Sequence, residues 1–302
     1  MKLFKNIGII ALATTILFGS AAAVKPTAVL AAEKKLSGKV VVAGSSALLP
    51  LTQQAAKEFK KKYPKVSIPA SAAGSITGPQ SVEKGAADIG ACDWNATQDV
   101  PGFKAFAGQV AHPVAVIPFA TIVHKDVKVD NLTKDQLVKI FTGKITNWKE
   151  VGGADAKIVV INRSFGSGTR VNYEMKALGG ESIKKSDDKN TYKEVGKSGE
   201  MLTNVANTPN SIGYIDLVYV NDTVKAIKYE GVEPTVENVK NGKYPIWGVG
   251  YYLTKGEPKG ATKAFIEYVQ SKEFQQGSVK KMKFIPISEM KDQIEKLNKD
   301  TK

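Results

Sequence analysis

The sequence predicts an α/β fold on a mainly parallel sheet, and three observations predict it. Short β-branched apolar runs alternate with segments whose apolar residues recur at helical spacing. Three times, at 44–48, 74–78 and 166–169, a strand-like run enters a turn rich in glycine and hydroxyl residues and then a helix start. Two long apolar runs, 110–123 and 244–253, carry prolines, which an interior strand ordinarily lacks. Each reads as a strand crossing between two domains, the first bent at Pro118.

In chain order, Lys2 and Lys5 precede a small-residue apolar run at 7–24, and V-L-A-A at 29–32 offers a cleavage site. Residues 1–32 therefore read as a secretory signal peptide. The run is too short and too rich in Ala, Gly and Thr to favour a membrane anchor. A strand at 39–43 leads through G-S-S-A-L into a helix over 49–63. Pro50 suits its first turn, and Leu51, Ala55 and Phe59 form its apolar face. A strand at 66–70 is followed by G-S-I-T-G at 74–78, which opens a short helix ending near Lys84 and Gly85. D-I-G-A-C-D at 88–93 reads as a short strand ending in an acid.

After the first crossing, a helix lies within 131–148, with Thr133 as its cap, Leu137, Ile140 and Phe141 as its inner face and Gly143 as its stop. A buried strand at 158–161 precedes the S-G-T turn, and a helix then runs to Leu178. A polar stretch at 181–197, a helix at 198–207 ended before Pro209, and strands at 212–214 and 224–229 follow. A short helix at 235–241 precedes the return crossing. A helix at 260–271, with Phe265, Tyr268 and Val269 inward, a basic helix and F-I-P-I at 284–287 finish the core. The charged tail after Ser288 is expected to be exposed.

The chemistry concentrates in V-V-I-N-R-S-F-G-S-G-T-R at 159–170. Gly166 and Gly168 let the backbone turn and approach a ligand without a Cβ in the way. Free N–H groups at the helix start attract an anion. Ser167 and Thr169 add hydroxyl donors, and Arg163 and Arg170 add charge and a forked donor geometry. Plain N-capping is the alternative, but two arginines flanking S-G-T exceed what a cap requires. In open sheets ligands bind beyond the carboxyl ends of strands. Ser46, Ser75, Asp93 and Ser167 all stand there, so distant residues can converge on one oxyanion.

Composition narrows the classes. Net charge is +14, and the signal segment contributes Lys2, Lys5 and Lys25, leaving 14 − 3 = +11. The lysines are spread along helices, as at Lys57, Lys60, Lys61 and Lys62, without a basic–aromatic motif, so a solvated surface is expected rather than nucleic-acid binding. Cys92 is the only cysteine, which excludes an internal disulfide framework and leaves no cysteine after the apolar run for a lipid anchor. His112 and His124 are not at metal-ligand spacing and read as structural, so no metal or cofactor is expected. Neither Ser46 nor Ser167 lies in G-x-S-x-G, and there is no phosphate-binding loop ending in lysine, so no catalytic residue is assigned and an enzyme is not expected. An adhesion role for the basic exterior would not need converging loops.

Taken together, G-S-S-A-L-L-P at 44–50, G-S-I-T-G at 74–78, D-I-G-A-C-D at 88–93, and 163–170 resemble the phosphate-binding proteins of ABC-type phosphate importers. The stretches 132–152, with F-T-G-K-I-T-N-W, and 231–245, with E-P-T-V, are similar to that family too. The resemblance implies a two-lobed periplasmic-binding-protein-like (type II) α/β fold with two hinge crossings. One lobe would comprise 33–115 and 247–302, the other 116–246. It implies phosphate held by Ser46, Ala47, Leu48, Ser75, Asp93, Arg163, Ser167, Gly168 and Thr169, with Ser45 and Arg170 as further candidates. It further implies delivery to a membrane permease by a monomer, exported to the periplasm or the cell exterior. Leu48, Ile76 and Cys92 depart from the family pattern. The acid has its own logic. A protonated phosphate can donate to Asp93, whereas sulfate would leave like charges facing each other. A protonated phosphonate would satisfy the same group and is the alternative ligand.

Overall fold

Strand and helix alternate as expected in a computed structural model that describes residues 36–300. The signal peptide expected at 1–32 lies outside the described residues. The expected first strand is two short ones, β1 (Gly38–Lys39) and β2 (Val42–Gly44), because the chain changes partner between them. β1 pairs with β3 (Val66–Ser67), while β2 pairs with β4 (Ala70–Ala72). Pro69, with no N–H to donate, marks the same break in the second strand. Helix α1 (Leu49–Lys62) buries Leu51, Ala55 and Phe59 as its periodicity required. α2 (Thr77–Glu83) and β5 (Ile89–Cys92) follow.

The first crossing is one 15-residue strand, β6 (Gln109–Val123). β7 (Asn131–Leu132) then precedes α3 (Lys134–Phe141), which is capped by Thr133 in a reciprocal capping box with Gln136. β8 (Val159–Arg163) and α4 (Gly168–Lys176) carry the S-G-T segment. The polar stretch 181–197 contains an unexpected strand, β9 (Tyr192–Val195), at the sheet edge beside β8. There only one neighbour is available, and its adjacent polar residues Lys193 and Glu194 are tolerated. α5 (Ser198–Asn207) and β10 (Ser211–Asp216) come next. The strand expected at 224–229 divides into β11 (Lys225–Ala226), which joins β6, and β12 (Lys228–Tyr229), which joins β7. α6 (Val236–Lys240), β13 (Trp247–Lys255) and α7 (Gly260–Gln270) lead to α8 (Lys272–Phe274), a π-helical turn and finally α9 (Lys291–Asp300). The tail is not wholly exposed: Met290 is fully buried, and Glu289 pairs with Lys240 and Lys280.

The main sheet runs β4-β2-β5-β13-β6-β10-β8-β9, with β11 also on β6. It is mixed, which corrects the mainly parallel expectation. β2 with β4 and β5, and β8 with β9 and β10, form parallel wings. The two long strands run antiparallel between them because one leaves and the other returns across the whole sheet. Pro118 faces Trp247, the last β13 partner, and from Phe119 onward β6 pairs with β10 instead. Pro113 lies at the register shift opposite Gly250 and Tyr251. Both prolines thus occupy interruptions of the ladder, which is where a missing donor is least disruptive. The described residues form one compact unit. Its core runs beneath both wings, with Tyr173 and Tyr214 stacked at 4.2 Å between ring centres. A smaller cluster beneath β8 and β10 seats α5 through Met201 and Val205. A Cβ on Gly213 would stand 2.6 Å from the Met201 sulfur, so that glycine lets α5 lie close on the sheet and fixes where Ser198 points its helix start.

Candidate functional site

The first turn follows β2. Gly44 sits at φ +131°, with no room for a Cβ against the Ala91 carbonyl. Ser45 N–H donates to Ala91 O at 2.8 Å, and the Ser45 hydroxyl donates to the Asp93 carboxylate. Leu48 is buried beside Gly250, and its N–H donates to Ser45 Oγ at 3.1 Å; Ala47 is buried with it. Ser46 Oγ is a junction. It accepts from Ser198 N and from Arg163 Nη2, each at 3.1 Å, and meets Ser198 Oγ at 3.1 Å. Tyr219 donates to the Ser46 carbonyl at 2.7 Å.

The second turn is tied to the S-G-T loop. Ile76 N–H donates to Gly166 O at 3.0 Å, and the Ile76 side chain fills the space that a Cβ on Gly166 would need. That packing explains the bulk of Ile76. Ser75 Oγ accepts from Asp93 N at 3.3 Å. Cys92 is fully buried beneath the acid, and burial pushes its thiol well up.

Arg163 ends β8, its N–H held by Asn162 Oδ1 and Tyr214 Oη. Nη1 reaches Thr169 Oγ1 at 3.4 Å and Ser198 Oγ at 3.2 Å, while Nη2 reaches Ser46 Oγ and, at 2.9 Å, Gly196 O. Its Nε is buried without a protein partner. Ser167 caps α4 by accepting from Arg170 N at 3.3 Å, so the capping role is real for that serine. Gly168 is the point of closest approach. A Cβ there would lie 2.5 Å from Asp93 Cβ and 2.7 Å from Asp93 Oδ2. Thr169 Oγ1 donates to Asp216 Oδ1 at 3.0 Å.

The structure therefore brings together Ser45, Ser46, Ser75, Asp93, Arg163, Gly168 and Thr169, with Ala47, Leu48 and Ser167 in the same turns. Arg170 stands apart. Its guanidinium pairs with Glu174 at 2.9 Å and donates to the Arg163 carbonyl at 3.1 Å, so it supports the backbone behind the cluster. His112 bonds Thr254, and His124 lies beside Asp126; neither joins the cluster.

Sequence reasoning missed Ser198, Asp216, Tyr219 and Asn172. Asn172 donates to Asp93 O at 2.8 Å and Gly168 O at 3.0 Å, tying α4 to the acid's loop. Two of the four carried a signal. Ser198 opens a helix, and Asp216 ends a strand, which are the same features that singled out Ser46 and Asp93.

Among the described residues, Asp93, Arg163 and Asp216 are the only buried side chains that ordinarily carry full charge. Burial raises the Asp93 pKa, and the Asp216 charge raises it further; bonds from Ser45 and Ser75 and the Arg163 charge oppose this. Burial likewise raises Asp216, against the pull of Ser198, Arg163 and Thr169. Such a cluster of hydroxyls, one guanidinium and helix starts can hold an oxyanion, and its acids can receive a proton from one.

A family model described as the PBP superfamily domain matches residues 30–273. The chain is 41% identical over 264 residues to the phosphate-binding protein PstS of Bacillus subtilis (strain 168), covering 86% of this chain and 84% of that protein. It is 31% identical over 274 residues to PstS of Pseudomonas aeruginosa (PAO1), covering 81% and 82%. Among solved structures it resembles a phosphate ABC transporter substrate-binding protein with bound phosphate from Clostridium perfringens. The TM-score is 0.74 and the identity 35%, over 82% of this chain and 99% of that one. An ABC-type phosphate transport receptor from Vibrio cholerae matches with TM-score 0.64 and 28% identity, over 82% and 99%.

Proposed function

The chain belongs to the PBP superfamily, among its PstS-type phosphate-binding proteins, and from that premise we propose how it works: it captures inorganic phosphate in the buried cluster and delivers it to the permease of an ABC-type importer. The observation that carries the reading is the convergence of Ser46, Arg163, Ser198 and Thr169 on one point beside a buried acid, Asp93. Donors alone would suit any oxyanion. The acid suits one that brings a proton, because a carboxylate and a fully ionised ligand would repel.

The donors come from both wings of the sheet. We assign residues 33–115 and 247–302 to one lobe and 116–246 to the other, with β6 and β13 as the hinge strands. Phosphate bridging Ser46 and Ser75 on one side and Arg163 and Thr169 on the other would favour closure by differential contact. Leu48, Ile76 and Cys92, the three departures from the family pattern, are packed in this arrangement, Leu48 against Gly250, Ile76 against Gly166 and Cys92 fully buried. The role is capture without turnover. Ser46 is committed to Arg163 and Ser198, and neither histidine reaches it as a base. We infer export from the signal peptide expected at 1–32, and the mature protein would act as a monomer in the periplasm or at the cell exterior. Among the described residues no helix is long and apolar enough to cross a membrane.

The test is calorimetric titration of the mature protein, unfolded and refolded to strip carried-over ligand, with phosphate, sulfate and methylphosphonate. Phosphate should bind tightly and sulfate not at all. A well-folded sample that ignores phosphate would overturn the assignment, and preferential binding of methylphosphonate would shift it to the phosphonate reading.

A further inference from the structure

Asp216 has no role in the reading above, yet it lies at the heart of the cluster. It ends β10, is fully buried, and opposes Phe119 at the start of the second half of β6. One oxygen, Oδ1, accepts the Thr169 hydroxyl at 3.0 Å. The other, Oδ2, is buried with no hydrogen bond of ordinary geometry; the Ser198 hydroxyl lies near enough to pull on the carboxylate but makes its closest bonds to Ser46 and Arg163. Its surroundings are the anion-binding groups themselves: Thr169, Ser198 and Arg163 act on it, and it acts on Asp93 and Tyr219. The titratable groups that face it are thus Arg163, Asp93 and Tyr219; Arg170, next to Thr169 in the first turn of α4, is held by Glu174. Orphaned buried oxygens are uncommon because each loses its hydration without replacement.

The formal charge sharpens the point. With both acids ionised, Arg163, Asp93 and Asp216 sum to +1 − 2 = −1 before any anion arrives. A dianion would face that balance far less favourably than a monoanion. The hydroxyl of Thr169 is spent on Asp216, so Thr169 would meet phosphate through its backbone N–H in the first turn of α4.

We propose that Asp216 is a second specificity-determining residue of the phosphate site: its free oxygen Oδ2 shares a proton with a ligand oxygen, as Asp93 does from the loop after β5, so that site and ligand together hold two protons. The captured species is then formally dihydrogen phosphate, whichever oxygen each shared proton rests on. The inference depends on the phosphate reading and adds a proton count to it.

The count is measurable. Free phosphate above its second ionisation carries one proton. A complex that holds two must take one up once the empty site has lost its own. Phosphate affinity of the wild-type protein should then fall about tenfold per pH unit at the alkaline end of a series from about pH 7 to 10, with uptake approaching one proton. Calorimetry in buffers of different ionisation enthalpy reads that uptake directly. Asp216→Asn should abolish both the slope and the uptake. Three results overturn the inference. Wild-type affinity that stays flat to the end of the series, without uptake, does so whether or not the variant folds. A variant that binds more weakly by the same factor at every pH, with uptake retained, makes Asp216 a mere support for Thr169. No phosphate binding at any pH overturns the phosphate reading together with this inference, whereas binding without uptake overturns only the inference.

Discussion

Replacing Gly168 by alanine should weaken phosphate binding while leaving the ligand-free protein folded. The added Cβ would stand 2.5 Å from Asp93 Cβ and 2.7 Å from its Oδ2, and closer still to Ser75 Oγ. Carbon atoms in ordinary contact are about 3.5–4.0 Å apart, so α4 must back away from Asp93 by about 1 Å. Overpacking of this kind costs about 1–3 kcal/mol. Gly168 is the first residue of α4, and Ser75 and Asp93 belong to turns beyond the other parallel wing of the sheet, in the lobe proposed for 33–115 and 247–302. The cost therefore falls on the closed form and not on an open one. Translated to affinity it is a rise in Kd of about 5- to 160-fold. Titration calorimetry with phosphate gives the Kd, and thermal unfolding without ligand gives the stability. Wild-type affinity in Gly168→Ala would refute the idea that these turns close on each other around the ligand. So would a large loss of ligand-free stability with unchanged affinity, which would make the contact a permanent part of the core.

Other consequences follow from the same geometry. Phe165, the one large apolar side chain left exposed among the described residues at 71%, stacks on Phe103 at 4.7 Å beside the S-G-T loop. Phe165→Ala should remove a clasp worth about 0.5–1.5 kcal/mol and raise Kd about 2- to 12-fold, through faster release seen in stopped-flow dissociation; an unchanged release rate would deny it that role. Arg163→Lys keeps the charge but cannot serve Ser46, Thr169, Ser198 and Gly196 at once. Losing charge-assisted bonds of about 1.5–3 kcal/mol should raise Kd about 12- to 160-fold, and retention of affinity would show that charge alone suffices. The pH dependence of ligand-free stability has a definite sign. Asp93 and Asp216 bind protons more tightly folded than unfolded. Their contribution is therefore complete below the ordinary carboxylate range and is lost as pH rises through the raised values. Acids with lowered values, such as Asp99, Asp130 and Glu289, act with opposite sign only at more acid pH. Melting temperature should thus decline from about pH 5 to 8, and less so in Asp93→Asn; a profile identical in that variant would contradict the assignment.

What was legible in the sequence was what has a local cause. The turns at Ser46, Ser75 and Ser167 announce themselves by glycine and hydroxyl residues at the end of an apolar run, and α5 has clear limits at Ser198 and Asn207. Features set by distant partners were not legible. Nothing near Val40 or Ile227 says that a strand will change neighbours there. β9 is hidden because an edge strand with one parallel neighbour needs no apolar alternation. Asp216 was overlooked because β10 was expected to stop at Tyr214, two residues short of the acid that marks its carboxyl end. Its meaning arises only when β10 is laid between β6 and β8, beside Arg163.

The central claim is that the site recognises its ligand by a proton given to a buried acid. The sulfate affinity of Asp93→Asn, measured beside its phosphate affinity, tests it most directly. The amide can donate where the carboxylate could only accept or repel. Phosphate should therefore bind more weakly than to the wild-type protein, and sulfate should begin to bind, so that the two affinities draw together. If sulfate were excluded as completely as from the wild-type protein both from Asp93→Asn and from Asp93→Asn combined with Asp216→Asn, discrimination would rest on something other than the ligand's proton, and the account would be wrong at its centre.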